Sequence, residues 1–170
     1  MMRFFIAIMF FGLISCKEEK SLKTIETVNK KENNFFETID KVRLISYSSR
    51  TQWNPNEPFD YYSKKEIVIP EDKIVDDVVL SEKDKNSIIS ILKKDYKEKC
   101  TNAACYEPRH MLQFYKKNKL VGYVEFCSEC GGSRESKKLK FLPSFCIEKG
   151  QELNNIFIKL GLKITSEFNN

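Results

Sequence analysis

In this chain of 170 residues, the cysteines are the side chains whose reactivity and spacing indicate possible chemistry. One of the six cysteines, Cys16, stands near the N-terminus, and the other five follow much later. These five are Cys100, Cys105, Cys127, Cys130 and Cys146. Thiols can pair as disulfides, hold a metal as thiolates, or exchange with other thiols and disulfides.

A predicted β-hairpin positions most of these thiols. Two β-forming runs, Met111–Tyr115 and Leu120–Cys127, flank a lysine-rich turn. Taking residues 117–119 as a three-residue loop places Leu112 opposite Val124 and Phe114 opposite Gly122. One face of the hairpin would then carry Leu112, Phe114, Val124 and Phe126.

The open end of this hairpin is where we expect a cysteine cluster. Cys105 precedes the outgoing strand, while Cys127 and Cys130 close the returning strand, so the three thiols should gather there. Cys100 stands only five residues before Cys105 and could join them. The favoured interpretation is a disulfide from Cys105 to Cys127 or Cys130, which would stabilise the domain by about 2 to 4 kcal/mol.

A zinc site is the principal alternative for the same thiols. The segment 127–132, Cys-Ser-Glu-Cys-Gly-Gly, resembles a zinc knuckle, in which two thiolates flank a tight turn. Cys100 and Cys105 would complete a tetrahedron of four thiolates, although four residues separate them where two are usual. The sequence otherwise calls for no cofactor.

Thiol–disulfide exchange and hydrolysis are weaker alternatives. A redox Cys-x-x-Cys needs a helix N-terminus to stabilise its thiolate, and no helix signal follows Gly131. His110 is the single histidine, so any cysteine or serine nucleophile has one imidazole to act as its base. Arg109 could bind an anionic group or pair with Glu107 or Glu129. The sequence favours a non-enzymatic protein over an enzyme.

The remaining patterns predict an α+β domain, a small antiparallel sheet with a central hairpin and two packed helices. One helix should begin after Ser81, which forms a capping signature with Asp84, and another should cover 150–160 before Gly161. Further strands are predicted at Val42–Tyr47, Glu66–Ile69 and Ile74–Leu80. We place the single domain at residues 35–170.

Charge and aromatic residues say little about partners. The net charge of +5 is dispersed, and no basic block indicates nucleic-acid binding. A protein-binding role would predict a solvent-facing aromatic patch, for which the candidates are Trp53, Phe59, Tyr61 and Tyr62. The same aromatic residues could equally pack within the domain, and a protein or small-molecule partner is not specified by the sequence.

The N-terminus predicts the location of the protein. Arg3 precedes an uncharged run, 4–15, that is too short to span a bilayer and has the layout of a secretory signal. Its ending, Leu-Ile-Ser-Cys, resembles the lipobox of bacterial lipoproteins. That resemblance implies a signal peptide at 1–15 and acyl chains such as palmitate on Cys16, followed by a flexible tether through residue 34. Lys17, in place of an inner-membrane retention aspartate, favours the outer membrane, on either its periplasmic or its surface side.

The central motifs carry a second resemblance. The Cys-Tyr-Glu-Pro-Arg-His segment at 105–110, the hairpin and Cys-Ser-Glu-Cys together resemble an uncharacterised group of small Gram-negative envelope lipoproteins. The similarity covers about residues 78–165 and implies no activity. We therefore expect a lipid-anchored envelope protein, a binding or structural module with a disulfide-stabilised cysteine cluster, with metal binding or thiol redox chemistry as the alternative.

Overall fold

The structure is a computed structural model that describes residues 35–50, 53 and 68–164. One antiparallel sheet of five strands has the order β2-β1-β3-β4-β5. The strands are β1 Lys41–Tyr47, β2 Ile74–Val79, β3 His110–Lys116, β4 Lys119–Cys127 and β5 Gly132–Glu135. The helices are α1 Glu82–Lys93 and α2 Ile147–Lys159, which confirms the predicted α+β class. Short 3-10 helices cover Glu71–Lys73, Lys97–Lys99 and Lys137–Leu139.

Helix α1 begins, and helix α2 ends, on a recognisable signal. Ser81 caps α1, and its Oγ accepts a hydrogen bond of 3.2 Å from the amide of Asp84, as predicted. The helix α2 starts at Ile147, three residues earlier than expected, because Cys146 adopts the extended backbone of an N-cap. Gly161, with φ of +75°, follows its C-terminus and donates its amide to Ile158 O at 3.0 Å.

The hydrophobic core lies between the helices and one face of the sheet. Alternation along β1, β3 and β4 sends every second side chain toward α1 and α2. Residues fully buried in this core include Val42, Leu44, Ile88, Leu92, Leu112, Phe114, Phe126, Leu153 and Phe157. We call this side of the sheet the helix face.

The hairpin has the predicted register but a different loop. Leu112 faces Val124 and Phe114 faces Gly122, as expected. The turn, however, holds two residues, Lys117 and Asn118, both at positive φ (49° and 60°), a pattern typical of a type I′ hairpin turn. A register shift between Phe114 and Tyr115 leaves one additional residue in β4. The residue pairs farther from the turn therefore match those expected for a three-residue loop.

Other sequence predictions are corrected or fall outside the described residues. The strand β5 was not predicted, whereas the expected strand Glu66–Ile69 is absent at Val68 and Ile69, and its first two residues lie outside the described chain. The predicted signal peptide, Cys16 and the predicted tether also lie outside it, as do Phe59, Tyr61 and Tyr62. Within residues 35–50, 53 and 68–164, neither helix has the length and apolarity to cross a bilayer.

Candidate functional site

A small cavity lies at the open end of the β3–β4 hairpin, where the sequence predicts the cysteine cluster. Its volume is about 90 Å³. Its walls come from the segment before β3, the start of β3 and the turn between β4 and β5. The lining residues are Cys105, Glu107, Arg109, His110, Cys127, Ser128, Glu129 and Cys130. The structure therefore brings three of the predicted thiols together with both predicted polar residues.

Cys127 and Cys130 form a disulfide across the turn between β4 and β5, with their Cα atoms 5.2 Å apart. The amide of Cys130 donates to Cys127 Sγ at 3.1 Å, and the amide of Gly131 donates to Cys127 O at 3.1 Å. Both cysteines are buried, with exposed fractions of 4% and 3%. The bridge therefore forms part of the cavity wall and closes a tight, hydrogen-bonded turn.

Gly131 allows this turn to form. Its φ of +72° is favourable only for glycine, and an added Cβ would lie 2.7 Å from Thr101 O and 2.8 Å from the amide nitrogen of Ile147. The turn thus packs closely against the segment 101–102 and the start of α2.

The favoured bridge from Cys105 is wrong. Cys105 is a free, exposed thiol on the cavity rim. The turn itself holds Cys127 and Cys130 three residues apart within bonding range, so each satisfies the other locally. Sequence reasoning placed the cluster correctly but could not choose between a local pair and a cross-hairpin pair.

Cys100 does not join the cavity. It is half-buried and its thiol interacts with that of Cys146, which is fully buried at the start of α2. The two are free thiols. The four-thiolate set that the zinc interpretation needs is therefore split between two places. Among the described residues, no three His, Cys, Asp or Glu side chains converge as a metal-binding group.

His110 is a buried member of the helix face. Its ring stacks on Phe126 and Phe157, with centroids 5.7 and 4.9 Å away, and its Nε2 lies 2.9 Å from Ile164 O. Because a carbonyl oxygen only accepts, Nε2 must carry the proton. Burial lowers the pKa of His110 to about 4, so the ring is neutral at pH 7 and is a weak general base.

Arg109 pairs with Glu107, one of the two partners expected from the sequence. Arg109 Nη2 lies 4.0 Å from Glu107 Oε1, and both side chains are partly exposed. Glu107 also hydrogen-bonds the buried Ser49 hydroxyl, while Arg109 O accepts from the amide of Tyr47 at 3.0 Å. These contacts fasten the segment before β3 to the end of β1, which gives the pair a positioning role at the rim.

Ser128 is a cavity residue that sequence reasoning missed. It is buried, and its Oγ has no hydrogen-bond partner among the described atoms. A buried hydroxyl without a partner is unfavourable, so a polar guest in the cavity would satisfy it. Ser128 and Glu129 are the two middle residues of Cys-x-x-Cys. A prediction that the Cys127–Cys130 disulfide lines the cavity would therefore have predicted Ser128 and Glu129 there as well.

The cavity suits only a small polar guest. About 90 Å³ is well below the roughly 300 Å³ at which ordinary ligand pockets begin. It carries two carboxylates, one guanidinium and one hydroxyl, a mixed set that selects neither a strong anion nor a strong cation. Water or a small polar group fits this chemistry, whereas a peptide or a nucleotide does not fit the volume.

Searches for similar proteins gave no match to this chain among protein-family models, curated proteins or solved structures.

Proposed function

We propose that this protein is a lipid-anchored component of the bacterial cell envelope whose α+β domain is a disulfide-stabilised binding or structural module. The observation that carries the proposal is the buried Cys127–Cys130 disulfide. Disulfides persist in oxidising compartments outside the cytoplasm. A lipobox-like N-terminus and an oxidised thiol pair are therefore consistent with the same location.

The lipid anchor rests on Cys16 and the apolar run before it. Two or three acyl chains on one sulfur and its amino group would hold the chain firmly on a membrane, since each buried methylene contributes about 0.8 kcal/mol. Lys17 after the cysteine supports the outer membrane as the destination. Protease treatment of intact cells then separates the surface side from the periplasmic side.

Substituting Cys16 with serine tests the anchor directly. We expect Cys16→Ser to lose acylation and signal-peptide cleavage, so the intact mass changes by the acyl groups and the retained leader. Cys105→Ser is the matched control, because it removes an exposed thiol of the domain and should leave mass and membrane fractionation otherwise as in the unaltered chain. An unaltered mass pattern in Cys16→Ser contradicts the proposal.

A structural role for the Cys127–Cys130 bridge predicts a loss of stability on its removal. The loop it closes is short, so the expected loss is about 2 kcal/mol, at the low end for disulfides. Chemical denaturation of Cys127→Ser/Cys130→Ser against the oxidised chain measures this loss. No change in the midpoint would show that the bridge stabilises nothing.

Thiol–disulfide exchange is the second candidate, favoured by one observation. The exposed thiol of Cys105 lines the same cavity as the Cys127–Cys130 bridge. Its thiolate would attack one bridge sulfur, form a new disulfide and release the other cysteine as a thiolate. Burial of the bridge opposes that attack. If the protein reduces a model disulfide faster than a free thiol does, and Cys105→Ser abolishes this activity, thiol–disulfide exchange is established over the structural role.

Zinc binding remains an alternative for the reduced chain. Oxidation of Cys127 and Cys130 removes two of the thiolates that the zinc interpretation requires, and Cys100 lies with Cys146. We therefore expect metal analysis of protein purified without reductant or chelator to give far less than one zinc per chain. Stoichiometric zinc would replace the disulfide interpretation with the metal one.

A further inference from the structure

The segment containing Cys100 is fastened to the start of α2, where Cys146 lies. The amide of Ile147 donates to Thr101 O at 2.9 Å, so the residues that follow the two cysteines are hydrogen-bonded to each other. Thr101 in turn donates its amide to Glu148 Oε2 at 3.0 Å and its hydroxyl to Glu148 Oε1 at 2.6 Å. Three hydrogen bonds therefore hold these two stretches of chain side by side.

This clamp is independent of pH in the ordinary range. The bonds from the Thr101 hydroxyl and amide lower the pKa of Glu148 to about 2, so its carboxylate stays charged. The side-chain amide nitrogen of neighbouring Asn102 faces two backbone carbonyl oxygens, Phe145 O at 3.2 Å and Gly131 O at 2.7 Å. The stretch 100–102 is thus anchored to both the start of α2 and the disulfide turn.

Within this clamp the Cys100 and Cys146 thiols are near enough to interact with each other. Cys146 is fully buried and Cys100 is half-buried. Cys105, the remaining free thiol, is exposed and lines the cavity instead. Of the three described cysteines outside the Cys127–Cys130 bridge, two are therefore already juxtaposed by the backbone and one stands apart.

We propose that Cys100 and Cys146 form a second disulfide of the mature protein, which leaves Cys105 as its single free domain cysteine. The bond would link the end of the 3-10 helix Lys97–Lys99 to the N-cap of α2. It closes a much longer loop than the Cys127–Cys130 bridge does, so it restricts the unfolded chain more. This inference goes beyond the proposed function and does not depend on the lipid anchor.

The oxidant we name is a small-molecule disulfide such as oxidised glutathione. The Cys100 thiolate attacks one of its sulfurs, forming a mixed disulfide and releasing one glutathione thiolate. The Cys146 thiolate then attacks the Cys100 sulfur, forming the protein bridge and releasing the second glutathione thiolate. Two cysteines lose one hydrogen each, and one glutathione disulfide becomes two thiols. Oxidation begins at Cys100 because burial raises the pKa of Cys146 to about 12.

Peptide mapping of the full chain, purified in detergent and treated with oxidised glutathione, tests the proposal. Free thiols are alkylated before a tryptic digest without reduction. We expect peptide 100–109 to be linked to peptide 141–149. Because peptide 100–109 also contains Cys105, the experiment is repeated in Cys105→Ser, where the link must persist. The leader and Cys16 fall in other peptides, so failure of the lipid anchor would not affect this result.

Alkylated Cys100 and Cys146 after exhaustive oxidation would overturn the proposal, as would loss of the link in Cys105→Ser. Stability gives a second measurement. Adding Cys100→Ser to the Cys105→Ser chain should lower the Tm of the oxidised protein on the order of 10 °C. The same addition should leave the Tm of the reduced protein nearly unchanged. An equal Tm decrease in both states would show a packing effect rather than a lost bridge, and would contradict the proposal.

Discussion

The two faces of the sheet are buried by different chemistry. The helix face is covered by α1 and α2 and is filled with aliphatic and aromatic side chains. The opposite face has a smaller apolar cluster of Ile45, Tyr47 and Met111, against which Trp53 packs. It also contains a buried carboxylate, Glu125, whose exposed fraction is 0%. We call this side the polar face.

Glu125 is held by several partners on the polar face. It forms an ion pair with buried Arg50, and its Oε1 accepts from the Tyr47 hydroxyl at 2.6 Å. Tyr106 covers it from outside, with its hydroxyl 3.4 Å from Oε2. The guanidinium of Arg50 also lies over the rings of Tyr47 and Trp53, at 5.4 and 5.0 Å. The Glu125 carboxylate can therefore be buried because Arg50 neutralises its charge and the two tyrosine hydroxyls hydrogen-bond its oxygens.

A second ion pair on the polar face provides a matched comparison. Arg43 and Asp77 lie on neighbouring strands and pair at 2.5 Å, but their side chains are 30% and 47% exposed. This hydrogen bond lowers the pKa of Asp77. Water screens such a pair, so it contributes little to stability. The comparison of the two ion pairs shows that burial, and not the presence of a charge pair, decides how much each substitution costs.

The largest effect is expected from opening the helix face. Phe157→Ala removes a fully buried ring that packs on His110 and Phe126, and should lower the free energy of unfolding by about 3 to 5 kcal/mol. Ile158→Ala, on the same helix but 44% exposed, is the control and should cost less than about 1 kcal/mol. Urea denaturation followed by circular dichroism measures both. Equal losses would contradict the assignment of the helix face as the core.

A smaller loss is expected on the polar face. Glu125→Gln keeps the side-chain shape but leaves Arg50 buried beside a neutral group, and should cost about 3 kcal/mol. Asp77→Asn removes the same kind of charge from the exposed pair and should cost less than about 1 kcal/mol. The same denaturation experiment measures both. If the two substitutions cost the same, burial does not separate these pairs.

The smallest effect is a pH dependence that arises on the helix face. Burial lowers the pKa of His110 from 6.5 to about 4, although Asp76 and Glu129 oppose the shift and Arg109 adds to it. Between these values the unfolded chain binds a proton that the folded chain does not, so stability decreases as pH falls from 6.5 toward 4.

The expected loss by pH 5 is on the order of 2 kcal/mol relative to neutral pH, and it levels off below pH 4. Denaturation midpoints at pH 7, 6 and 5 measure it in the unaltered chain and in His110→Gln. The variant starts less stable but should lose less between pH 7 and 5. A parallel decrease in both chains would show that His110 is not the group responsible.

Local signals made much of the helix face predictable. Alternating apolar residues placed Leu112, Phe114, Val124 and Phe126 on one side of the hairpin, and the register confirms them. Ser81 with Asp84 marked the start of α1 because a cap depends only on residues three apart. The strand β5 was missed because its Gly-Ser-Arg-Glu sequence carries no strand pattern, and only pairing with β4 makes it one.

The candidate site was predictable in position but not in connectivity. Hairpin geometry alone brought Cys105, Cys127 and Cys130 to one end, together with Arg109 and His110. The pairing of Cys127 with Cys130 depends on a turn that Gly131 permits, and the interaction of Cys100 with Cys146 joins residues distant in sequence. Spacing could not distinguish these from the cross-hairpin bridge or the zinc set.

Residues close together in the chain were enough to predict the α+β class, the hairpin register and the cysteine-rich end. The fold was needed to show which thiols meet, that Ser128 faces a cavity and that Glu125 is buried beside Arg50. Apart from the local Cys127–Cys130 pair, these features join segments far apart in sequence. The alternation in a strand predicts that a polar residue such as Glu125 faces solvent. Whether another segment of the chain buries it depends on the whole fold.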